Sequence, residues 1–259
     1  MLLWLESQSI AVITVVVFAV CYLLAAIFFC VGVLLSRSRW GAELKATTPV
    51  MMTPIGIITG LLIAFLASRV WTNLDHANGY VAQEASAIRG TVLLADHLPE
   101  DTRVAVHAAM KRYLQFIEED DWPAMAAGRA RLQRVPPGLS DALHALLTAA
   151  PTGSGQHIAQ QSAVVAVQHA LEARRQRIVL SQATISPMQW GGILLLDALI
   201  LLTITLVHMD RRGAAILNLL SLSTAVAICL VLLMAYDRPF AAGGMTVQPD
   251  ALRDVLLDR

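Results

Sequence analysis

Four stretches of this chain are apolar for the length of a membrane crossing, and that alone removes most ways of folding it. A helix that traverses the hydrocarbon needs roughly 20 apolar residues, because no water is present there to satisfy exposed backbone groups. Residues 10–35, 50–71, 190–209 and 214–236 each reach that length. Hydrophobic residues make up 56% of the chain and charged residues only 15%, far from the composition of a soluble domain. No alternating strand pattern and no internal repeat can be read. The expected class is an all-α integral membrane protein with four transmembrane helices and a helical bundle inserted between the second and third.

The second stretch, 50–71, is the most informative, with no charge before Arg69. Pro54 lacks a backbone donor and, with Gly56, predicts a kink near its start. Gly56, Gly60, Ala64 and Ser68 recur four apart, which puts four small side chains on one face where another helix can approach closely. Such a stripe suits packing inside one subunit, and it equally suits a subunit interface or a pore. Ile58, Leu62, Phe65 and Arg69 are expected on the opposite face. Asp197 falls about two turns, roughly 11 Å, inside the third span. The end of span two and the start of span three share one side of the membrane, so Arg69 is a candidate partner for Asp197, with Arg238 as its rival. An ionisable residue within a span is costly and is by default a candidate functional site. A structural ion pair, a protonated and hydrogen-bonded acid, and a part in conduction or proton coupling all remain open.

The expected domains are a transmembrane hairpin over 1–71, a soluble helical bundle over 72–187, a second hairpin over 188–236 and a tail over 237–259. Span one is uncharged, is preceded only by Glu6, and is too long for a signal-peptide core, so a retained anchor is expected. Arg37, Arg39 and Lys45 follow in a short loop, with Trp40 placed for the interface. Leu74, Val81, Ile88 and Val92 keep helical spacing, so span two should continue beyond the membrane as an amphipathic helix. Pro99, Glu100 and Asp101 start a new helix with acids at its positive end. Its inner face is expected to carry Val104, Ala108, Leu114 and Ile117. The acidic run 118–121 reads as its solvated end. Trp122-Pro123 then opens a short helix to about 133, and Pro136-Pro137-Gly138 reads as a turn. Ser140 should cap a brief helix ending near 150, and 151–155 is a loop. A long helix is expected over 157–184, with Pro187 opening span three. The short link 210–213 makes spans three and four a hairpin, and Asp250 begins a short final helix.

Little here points to chemistry. Cys21, Cys30 and Cys229 all lie in predicted spans and form no disulfide framework. Seven histidines are scattered without the spacing of a metal site, and His107 with Lys111 reads as a solvated face. There is no phosphate loop and no nucleophile elbow. No enzyme activity, cofactor, metal or nucleic-acid partner is expected, the last because the formal net charge is zero. Arg174, Arg175 and Arg177 read as a surface cluster, either paired with Glu172 or drawing anions and lipid headgroups. Short loops carrying Arg37, Arg39, Lys45, Arg211 and Arg212 belong in the cytoplasm by the positive-inside rule, which puts the bundle outside. Arg69, Arg174, Arg175, Arg177 and Arg238 crowd the opposite side and vote against it.

Several elements in fixed order resemble the bestrophin-like family of bacterial membrane proteins. They are Glu84-Ala85-Ser86-Ala87-Ile88 followed by Leu98-Pro99, then Tyr113 with Trp122-Pro123, then 171–177, then Asp237-Arg238-Pro239-Phe240. The chain departs from the family at Leu94, where an arginine is frequent, and shows no counterpart of the calcium-binding acidic clasp of bestrophin channels. The resemblance implies a ring-shaped homo-oligomer in the bacterial plasma membrane, with the second span lining an anion pore and the insertion in the cytoplasm. That last implication opposes the short-loop vote. An oligomeric anion channel is therefore the leading expectation. The alternative is a non-conducting sensor whose helical bundle binds a ligand or another protein.

Overall fold

The structure, a computed structural model, describes residues 9–36, 52–132, 136–208, 211–241 and 246–257. The loop bearing Arg37, Arg39, Trp40 and Lys45 lies outside them, as do Asp210 and Gly243-Gly244. Every described element is helical. In chain order these are α1 (Ile10–Ser36), α2 (Met52–Ala95), α3 (Glu100–Phe116), a π-helical turn (Ile117–Asp121) and α4 (Trp122–Ala126). Then come α5 (Pro137–Thr148), α6 (Ser154–Ser181), α7 (Pro187–Val207), α8 (Arg212–Tyr236) and α9 (Asp250–Leu257). Among them α1, α2, α7 and α8 are long and apolar enough to cross a membrane.

Helix α2 runs unbroken for 44 residues. Pro54 is its third residue, in the first turn, where the missing N–H would have had no acceptor in the helix. It opens the helix instead of interrupting it. Contacts divide the chain into two units, whose boundaries fall at Thr72/Asn73, Ala183/Thr184 and Arg238/Pro239, so that Phe240 and α9 belong with the second.

In the first unit α1 packs along α8 and α7. One apolar cluster holds Ile13, Val17, Leu66, Ile193, Val226 and Leu230, and another holds Ala25, Ile200, Ile204 and Leu219. Gly32 of α1 passes so close to Thr205 of α7 that a Cβ there would fall on the threonine methyl. Tyr22 and Thr224 share a hydrogen bond of 3.0 Å that sets the register of α1 against α8. Ser186 and Gln189 cap α7 reciprocally, with Pro187 in the first turn. Large apolar side chains such as Val15, Leu61, Phe65 and Leu217 point outward, as a helix bathed in lipid requires.

The second unit is built on one core. The stretch from Glu100 to Ala126 is helical throughout, so the acidic run does not end α3 but forms the π turn within it. The inner face of α3 is Val106, Ala109, Met110, Tyr113 and Leu114, while Val104 is exposed. Helix α4 stops at Ala126, short of the expected 133, because Gly128 adopts φ 64° and the Arg129 N–H returns to the Ala124 carbonyl at 2.8 Å. Helix α5 begins at Pro137, before the expected Ser140 cap, and Ser140 bonds back to the Pro137 carbonyl. Gly138 is needed there, since a Cβ would come within 2.6 Å of Tyr113 N on α3.

Candidate functional site

Helix α6 carries a seam at three- and four-residue steps: Ala159, Ala163, Val167, Ala170, Arg174, Arg177 and Ser181, every one buried. Two arginines therefore occupy positions where the repeat calls for apolar side chains. On α2 the same happens once, with Glu84 lying between buried Val81 and Ile88. The third contribution is Asp121, at the end of the π turn. The wider turn, in which the Trp122 N–H bonds the Ile117 carbonyl, brings a carboxylate from an otherwise acidic and solvated run into the interior.

These residues meet. Arg177 donates from Nε to Glu84 Oε2 at 2.7 Å and from Nη2 to Oε1 at 3.1 Å, and both side chains are wholly buried. Arg174 holds Asp121 in the same two-pronged way, at 2.7 and 3.0 Å. Arg177 Nη2 also lies 3.6 Å from Asp121, so the two pairs form one cluster. The Tyr113 hydroxyl donates to Glu84 Oε1, and Arg177 Nη1 reaches the Met125 sulfur at 3.4 Å. Aromatic rings close the cluster. The Arg177 guanidinium stands 5.4 Å from the Trp122 ring centroid and that of Arg174 5.8 Å from Phe116, while Phe240 meets Trp122 edge-on at 5.6 Å.

The electrostatics follow from this closure. Isolated buried charges are prohibitive, but two carboxylates and two guanidiniums sum to zero and satisfy one another. Burial pushes the Tyr113 phenol well above its ordinary range, and the Glu84 carboxylate beside it pushes the same way, so the tyrosine stays a donor. Burial is the largest single influence and works against the Arg177 charge, but Glu84, Tyr113 and Asp121 together outweigh it and hold the guanidinium above its ordinary value.

The expectation of a basic surface cluster is thus corrected: of the three arginines only Arg175 is exposed, paired with Glu172 at 3.4 Å. The solvated acidic end is corrected as well, since Asp121 is buried and Glu118 is tied to Arg253 of α9 at 2.7 Å. Of the resemblance motif, Glu84 and Trp122 lie in the cluster, Phe240 packs on it and Pro123 sits in the first turn of α4. The roles of Tyr113, Asp121, Arg174 and Arg177 were missed from sequence. The signal was present, because charged residues on an apolar seam are legible as buried ones that require partners.

In the first unit, Gly56, Gly60, Ala64 and Ser68 are all exposed, with no atom within 4 Å of a Cβ built at Gly56 or Gly60. The face of α2 turned inward there is Thr59, Leu66 and Val70. Of the residues assigned to the opposite face, Leu62 is half-buried, while Ile58, Phe65 and Arg69 are exposed. Asp197 is 3% exposed, and its Oδ1 has no hydrogen-bond partner among the described residues. The structure does not bring Arg69 or Arg238 to it. Both arginines act on Asp237, which also accepts the Ile185 backbone N–H at 2.8 Å. Burial raises the Asp237 carboxyl above its ordinary value against those three opposing influences. Pro239 offers its carbonyl to the Val247 N–H at 2.8 Å. No group of three or more metal-ligating side chains occurs among the described residues.

Four membrane-length helices and a helical unit locked by a buried two-acid, two-arginine cluster define an all-helical membrane protein. The model of the Bestrophin-like domain matches residues 19–252, and the chain belongs to that family. Among solved structures the fold is similar to that of a mutated bacterial bestrophin homologue from Klebsiella pneumoniae. The TM-score is 0.70 at 14% identity, over 93% of this chain and 98% of the other. No curated protein matches.

Proposed function

We propose that this chain is one subunit of an oligomeric anion channel of the plasma membrane, with α2 lining the pore and the helices between the second and third spans forming a soluble insertion. The observation that carries this reading is the uncovered small-residue face of α2. Among the described residues Gly56 and Gly60 have nothing within 4 Å of an added Cβ, and Ala64 and Ser68 are exposed, so the close approach they permit is kept for other copies or for passing ions. Arg69, exposed near the end of that span, adds a positive charge that raises the local anion concentration. The likeness to a bestrophin homologue along nearly the whole of both chains supports the same arrangement.

The test is chloride flux from liposomes containing the purified protein, with Cys21, Cys30 and Cys229 replaced and Gly60→Cys introduced. Flux above background that a bulky, water-soluble thiol reagent abolishes only in the Gly60→Cys protein is the expected result. Flux at background for chloride and for other small anions would sink the channel reading and leave the partner-binding alternative.

A further inference from the structure

The two apolar clusters of the first unit are separated by a polar layer that pore lining does not use. On α7, Asp197 falls between Ile193 of one cluster and Ile200 of the other; on α8, Ser223 falls between Val226 and Leu219. The short link 208–211 makes α7 and α8 antiparallel, so depths counted from Pro187 and from Tyr236 start on one side. At 1.5 Å per residue Asp197 lies roughly 15 Å deep and Ser223 roughly 20 Å. In a hydrocarbon core of about 30 Å both sit near the middle. The Tyr22–Thr224 bond holds α1 level with them, and Cys21 lies within electrostatic reach of Asp197.

Each group has a buried oxygen left without a hydrogen bond among the described residues. Asp197 is 3% exposed and Ser223 2%, and among the described residues neither Asp197 Oδ1 nor Ser223 Oγ has a hydrogen-bond partner. The helices packed on α7 supply no counter-charge. Titratable groups on α1 are Cys21, Tyr22 and Cys30; those on α8 after Arg212 are Cys229 and Tyr236. Burial is the influence that acts on the Asp197 carboxyl, while Arg69 and Arg238 act on Asp237. A carboxylate at mid-bilayer depth needs one positive charge to balance it. A divalent ion would overcompensate, and calcium would require six or more oxygen ligands. We propose that Asp197 is an intramembrane site for one monovalent cation, a proton or an alkali ion, with Ser223 as the second oxygen of the layer.

The experiment uses the full chain in lipid nanodiscs and does not depend on conduction. Dicyclohexylcarbodiimide is apolar and reacts with protonated carboxyl groups. The acid adds across a C=N bond with no leaving group, so the modified peptide gains the mass of the whole reagent. Peptide mass spectrometry is expected to find the adduct on Asp197 in sodium-free buffer, with labelling lost as pH is raised and absent in Asp197→Asn. Protection by sodium chloride but not by choline chloride identifies an alkali ion; a response to pH alone identifies a proton. Infrared spectroscopy reads the site without a reagent, through a carboxylic-acid C=O band that disappears in Asp197→Asn. If neither adduct nor band appears at any pH in sodium-free buffer, the proposal is overturned.

Discussion

Arg177 shows how one buried side chain can organise a domain. Its guanidinium is wholly buried, bidentate to Glu84 and stacked near Trp122, so its removal leaves a carboxylate without compensation. Arg177→Met is expected to lower the stability of the helical unit by about 3–5 kcal/mol, as broken buried pairs do. Adding Glu84→Gln should recover a large part of the loss, because the charge left alone is the source of the cost. Denaturant unfolding in detergent checks this, and equal losses in the single and double variants would mean the charge is not the cause. Tyr113 adds a pH dependence. Its folded-state proton is held above the ordinary value of 10.0, whereas the unfolded chain releases it there. Above that pH the folded state binds more protons than the unfolded one, so stability present below it is lost as pH rises. Melting temperature plotted against pH should fall more steeply in the wild type than in Tyr113→Phe in this alkaline range. Parallel curves would remove Tyr113 as the cause.

At the scale of the element, the π turn is the device that places Asp121. Removing its extra residue would rotate the downstream side chains by about 100° around the helix axis and carry the carboxylate away from Arg174. Deleting Glu119, which is exposed, is expected to cost about 3–5 kcal/mol by breaking the Asp121–Arg174 pair. Glu119→Ala, which keeps the chain length, should stay within about 0.5 kcal/mol of the wild type. Similar unfolding midpoints for the two variants would show that the turn has no role in placing the acid. Helix α2 combines two faces along one element. Near the second unit it contributes an apolar seam broken by Glu84, and near its start it leaves small residues uncovered.

For the molecule as a whole, the side on which the helical unit lies determines what can reach it. Arg174 and Arg177 are neutralised inside their cluster, so they act as core residues and not as a surface field. We propose a cytoplasmic helical unit, as the resemblance to the bestrophin-like family implies, against the vote of five loop charges. A single cysteine at Ser154, at the start of α6, tests this in a cysteine-free background. Labelling by a membrane-impermeant thiol reagent is expected only after lysis. Labelling of intact cells would put the unit outside and make an external ligand or partner the better search.

The order of residues was enough to read the number of the apolar helices, the continuation of α2 past the length of one span, and the family. All three rest on local quantities: runs of apolar residues, helical periodicity, and short ordered motifs such as Asp237 to Phe240. Which charged residues are surface and which are core emerged only from the packed chain. Arg174 and Arg175 are adjacent and chemically alike, yet one pairs with an acid buried 53 positions earlier and the other faces solvent. Likewise Asp120 and Asp121 differ only by where the π turn points them. A buried charge is defined by its partner, and partners distant in sequence are brought together only by packing.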